Sequence, residues 1–223
     1  MLILLVILVV TLILGGVIYA SILERKRREA LGQLAASLGM LYQPGRDRAM
    51  ASRFQFLNKL AQGSNRYAYN LIQGAYRGQQ VMLFDYHYET YSTDSKGNRT
   101  TTHHHFSFFI LRLPARFPEL VIAPEGWASK IAQFFGYEDI DFESAEFSRK
   151  FVVRSPDKRF AYDFCNPQMI DYLLDNQDLQ IEVEFDSLAF FFDRRLAVDA
   201  ISPSLDRLWE VRQRMPDYLF QSK

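Results

Sequence analysis

The chain has 223 residues, of which 48% are hydrophobic, 15% aromatic and 23% charged, and its net charge is zero. The charge is uneven: Glu24 to Arg66 holds nine basic and three acidic side chains, a net of +6, so the remainder carries −6. A body of that sign excludes a nucleic-acid partner, which needs a basic face against phosphates, and a lone cysteine, Cys165, excludes a disulfide framework.

Residues 2–23 carry no charged side chain and are mostly Leu, Ile and Val. As a helix they would span about 33 Å, enough for a hydrocarbon core of about 30 Å. The expected element is therefore a transmembrane anchor over residues 1–23. Tyr19-Ala20-Ser21 makes a poor signal-peptide cleavage site, and Arg25, Lys26, Arg27 and Arg28 follow directly. By the positive-inside rule this flank stays cytoplasmic. The expectation is a single-pass inner-membrane protein with its N-terminus outside and its folded part in the cytoplasm. The same four cations are candidates for contact with anionic lipid.

A basic juxtamembrane helix is expected over 24–41, from Leu31, Leu34, Ala35 and Leu38 at helical spacing, with Gly39 as its terminator. Residues 42–223 then form one soluble domain. Phe54, Phe56, Leu57 and Leu60 predict a short helix or packed loop. Strands follow at 67–76, 79–91 and 101–113, joined by a tight Arg77-Gly78 turn and a polar loop at 94–98. A fourth is expected at 120–123. A helix is predicted over 125–135, a solvated acidic connector over 138–146, and a strand over 147–154. Ser155 is expected to cap a helix from Pro156, and Asn166-Pro167 to open another. A hairpin about Asp186-Ser187 and an amphipathic helix from Ser202-Pro203 to Pro216 close the chain. The fold class is α+β: a transmembrane helix, then a curved antiparallel sheet or partial barrel with helices on one side.

The segments NLIQGAYRGQQVMLFDYHY (70–88) and FESAEFSRKFVVRSPD (142–157) carry a Gly-x-Tyr-x-Gly turn, a Phe-Asp-Tyr strand and a Glu-Ser-x-x-Phe-x-x-x-Phe segment. In these it resembles a widespread bacterial family of uncharacterised, often membrane-anchored proteins. The resemblance implies a bacterial origin and no particular activity.

All four histidines fall in one hairpin. Strand alternation puts Asp85, His87 and Glu89 on one face. If residues whose numbers sum to 192 pair, His87 lies opposite His105 and Glu89 opposite His103, a cluster of the kind zinc accepts. If the register slips by one residue, His104 faces this side instead and the cluster thins. Cys165 reads as a buried structural thiol, and no nucleophile elbow, phosphate loop or dinucleotide fingerprint occurs. The crowded aromatics of the meander are expected to be core, or a groove if one face is uncovered. The leading reading is a non-enzymatic interaction or sensing module with a protein partner at the membrane, needing no cofactor. The alternatives are a metal-binding protein or metal-dependent hydrolase using the histidine hairpin, and a barrel that binds lipid or a small ligand.

Overall fold

One unbroken helix, α1 (Leu2–Ser37), carries both the apolar run and the basic flank in the computed structural model, which describes residues 2–127 and 138–221. Its outer part is exposed and has the length and composition of a membrane span. Its inner part belongs to the domain, where Leu31 and Ala35 are buried. The helix stops at Ser37, earlier than the residue 41 expected. Gly39 turns left-handed at φ +67° and the Met40 amide donates back to the Ala35 carbonyl, as glycine beyond a helix end allows.

Leu41 instead opens β1 (Leu41–Gln43). Two short helices, α2 (Ala49–Arg53) and α3 (Asn58–Ala61), lead into β2 (Ser64–Tyr76), β3 (Gln79–Thr93) and β4 (Arg99–Pro124). The β2–β3 turn has Arg77 and Gly78 both at positive φ, the geometry that suits the twist of a two-residue hairpin. Then come α4 (Ala145–Lys150), β5 (Phe151–Arg154), α5 (Lys158–Phe164), α6 (Pro167–Asp175), β6 (Ile181–Phe191) and α7 (Ile201–Arg214). The described strands make an open antiparallel sheet in the order β1-β2-β3-β4-β5, with β6 also paired to β4.

Several expected elements are redrawn. The strand expected at 120–123 is the far half of β4, which carries on through Pro114 and Pro118 with register shifts between Arg112 and Leu120. Proline offers no amide to a ladder, so the pairing breaks there while the chain stays extended. The hairpin about Asp186-Ser187 is a single strand, β6, kinked at Phe185 (φ 49°) and paired to β4 on both sides of the kink. Residues 147–150, expected as the start of a strand, belong instead to the helix Ala145–Lys150, whose N-terminus is capped by the Ser144 side chain accepting the Phe147 amide. The next helix starts two residues later than expected, capped by Asp157 rather than Ser155. The helix expected at 125–135 begins as a 3-10 turn, Glu125–Trp127; the rest lies outside the described residues.

Helices cover both faces, not one. On the first, Ile72, Leu83 and Phe109 meet Leu31 of α1 and Leu205 and Leu208 of α7. On the second, Leu71, Phe84, Tyr86 and Phe108 meet Met50, Leu57 and Leu60 of α2, α3 and their connector. The first face turns polar at the end where α1 leaves the domain.

Candidate functional site

Of the two registers the sequence left open, β3 and β4 take the one that sums to 192: His87 faces His105, Glu89 faces His103 and Asp85 faces Ser107. The loop at 94–98 accompanies this register. Asp94 accepts from the Asn98 amide and side chain, and Gly97 supplies a positive φ. β2 adds Tyr67 opposite His87 and Tyr69 opposite Asp85. Side chains alternate, so these residues share the first face and His104 lies on the second, bonded to Thr90 at 2.8 Å.

Two bulges in β2 finish the site. Asn65 and Asn70 sit at φ 48° and 53°, where the β2–β3 register shifts. Asparagine tolerates this conformation, and a bulge re-aims the side chains around it. The Asn65 carbonyl receives His87 Nδ1 at 3.1 Å, and its amide donates to Glu89 Oε1 at 2.6 Å. The Asn70 amide donates to Asp85 Oδ2 at 3.0 Å, and its Oδ1 accepts from Tyr42.

His87 Nε2 lies 3.1 Å from His103 Nδ1, which lies 3.4 Å from Glu89 Oε1. His87 and Glu89 are buried and His103 is exposed. Hydrogen bonds from Asn65, then Tyr91, hold the Glu89 carboxyl below its ordinary pKa. His105 stands beside His87 with ring centres 4.7 Å apart, and its Nδ1 meets the Tyr69 hydroxyl at 3.0 Å. Partial burial, then the charges of His87 and Arg195, lower the His105 pKa.

Next to His105 opens a cleft of about 490 Å³, lined by Glu24 and Arg28 of α1, Arg46, Tyr67, Tyr69 and Arg195. Three guanidinium groups face one carboxylate across it. Arg195 pairs with Glu24 at 2.7 Å, and Arg46 lies 4.6 Å above the Tyr67 ring. Burial opposes the Glu24 charge, but the hydrogen bond and attraction of Arg195 bring its pKa below the ordinary value.

Of the four flank cations, Arg25, Lys26 and Arg28 are exposed. Arg27 differs. Its guanidinium donates from Nε and Nη2 to Asp85 at 3.0–3.1 Å and from Nη1 to the Leu196 carbonyl at 2.6 Å. Asp85, 3% exposed, also accepts from Ser107. Arg195 is likewise no plain surface charge. The sequence named Arg27 only as a lipid-contacting cation and did not name Asn65, Asn70 or Arg195 as site residues, because no motif marks them and the positive φ of the two asparagines is a property of the folded backbone. Cys165 is buried, with its thiol pKa pushed up by that burial.

No protein-family model matches the chain, and no curated protein matches it. Among solved structures it is similar to the crystal structure of the mycobacterial trehalose monomycolate transport factor A, TtfA, with a TM-score of 0.58 over 86% of this chain and 97% of that one. Identity is 13%, so the likeness is one of fold.

Proposed function

We propose that this chain is a single-pass, membrane-anchored binding module whose cleft takes the headgroup of an anionic lipid. The observation that carries this is position. Glu24 lines the cleft and is the first residue after the apolar run, so an uncleaved anchor would hold the cleft at the headgroup layer. The lining suits the ligand: guanidiniums bind phosphate in bidentate fashion, and tyrosines tolerate a boundary that is apolar on one side and wet on the other. A fold-mate named for trehalose monomycolate transport supports lipid handling as the class of function. The basic flank favours a cytoplasmic domain. A lipid ligand accounts for the cleft, which a purely protein-binding module would not need.

Native mass spectrometry of the full chain in detergent tests it, with phosphatidylglycerol and phosphatidylcholine added in equal amounts. One phosphatidylglycerol should be retained, and Arg28→Ala with Arg46→Ala should cut retention about tenfold, roughly one lost charge-assisted contact of 1.5 kcal/mol. Equal retention of both lipids, unchanged in the double variant, would refute it.

A further inference from the structure

We infer that His87, Glu89 and His103 hold one divalent ion of the zinc class, in a site separate from the lipid cleft. Three distances lead there. His87 Nε2, His103 Nδ1 and Glu89 Oε1 are separated by 3.1, 3.4 and 3.9 Å. Ligand atoms at about 2.0–2.1 Å from a tetrahedral ion lie about 3.3–3.4 Å apart. At that bond length an octahedral ion would draw neighbouring ligands to about 2.9 Å. The observed triangle brackets the tetrahedral spacing. Two imidazoles with one carboxylate also select against magnesium and calcium, which take oxygen ligands.

The ligands are aimed as a metal requires. The Asn65 carbonyl can only accept, so His87 carries its proton on Nδ1. Its Nε2 lone pair is thereby directed at the other two ligands, the arrangement typical of metal-bound histidine. Glu89 is held from both sides: Asn65 donates to Oε1 at 2.6 Å and Tyr91 to Oε2 at 2.8 Å. One asparagine on a bulge thus orients two of the three ligands. Without an ion, a proton on His103 Nδ1 is donated to His87 Nε2. A metal ion takes that proton's place, and His103 then carries its proton on Nε2. Three protein ligands leave a fourth position on the exposed side of His103, open to water. His105 does not complete the set: the ligand atoms that lie within 4.8 Å of one another are those of His87, Glu89 and His103.

The untagged full chain in detergent, stripped with a chelator, is titrated with Zn²⁺ by calorimetry and with Co²⁺ by visible absorption. One equivalent should bind with micromolar or tighter Kd, and Co²⁺ should give the intense bands of a tetrahedral site. His103→Ala, at an exposed side chain, and Asn65→Gly, which keeps the positive φ and the carbonyl, should each weaken binding about tenfold to a hundredfold. His104→Ala, on the opposite face, should leave it unchanged. Absence of zinc binding at about 100 µM, or equal loss in the His103 and His104 variants, would overturn the assignment.

Discussion

Glu182 is the residue whose environment most contradicts its chemistry. It is 1% exposed on β6, and burial, opposed by the amides of Asn58 and Lys59, pushes its pKa from 4.5 up to about 8. An unfolded chain loses this proton near 4.5 and the folded one near 8. Between those values the native state alone holds the proton, so this residue's contribution to stability falls as pH rises from 4.5 to 8. Glu182→Gln keeps an acceptor for the Asn58 amide and removes the buried charge. It should raise stability at pH 8 by about 1–3 kcal/mol, the cost of an uncompensated buried polar group. Thermal melts across that range should show a flatter pH profile for the variant; a profile parallel to that of the parent chain would place the titration elsewhere. A glutamate in a strand gives no sign of this by itself, since burial depends on which elements pack over it.

At the scale of the element, α1 is fastened to β3 by the largely buried Arg27–Asp85 pair and to the loop after β6 by the partly buried Glu24–Arg195 pair. Arg27→Ala would leave Asp85 charged beneath the helix with only neutral partners, Asn70 and Ser107. Removing one partner of a buried pair costs about 3–5 kcal/mol. Chemical denaturation should show that loss, and adding Asp85→Asn should recover part of it by discharging the stranded group. A loss below about 1 kcal/mol would mean the pair behaves as a surface contact. Four adjacent cations read as a uniform flank because helix phase decides which one turns inward, and that phase is set by the packing of Leu31 and Ala35. The hairpin register was legible only as one of two alternatives: Phe106 to Leu111 are buried on both faces of the sheet, so no apolar alternation separates the observed pairing from a one-residue slip, and the loop held by Asp94 and Gly97 accompanies the observed one. β4 and β6 were harder. Pro114, Pro118 and the Asp186-Ser187 pair look like chain reversals, yet each marks a kink in a strand whose partner kinks with it. Asp186 in fact pairs with Arg112 across the ladder.

For the molecule as a whole, the apolar run and the domain are joined within one continuous helix, and the first residue after the run, Glu24, already bonds to the domain. A chain beginning at Glu24 retains both the Glu24–Arg195 and Arg27–Asp85 pairs. One beginning at Ala30 retains neither, and strands Arg195 and Asp85. The shorter form should melt several degrees lower, as a loss of a few kcal/mol does in a domain of this size; equal melting temperatures would show that the juxtamembrane turn adds nothing to the fold. The same continuity couples the orientation of the domain to that of the apolar run. One residue inserted between Leu23 and Glu24 would turn the domain about 100° around the helix axis and lift it about 1.5 Å, without disturbing a contact inside it. The height and facing of the cleft relative to the apolar run are therefore set by a count of helical residues.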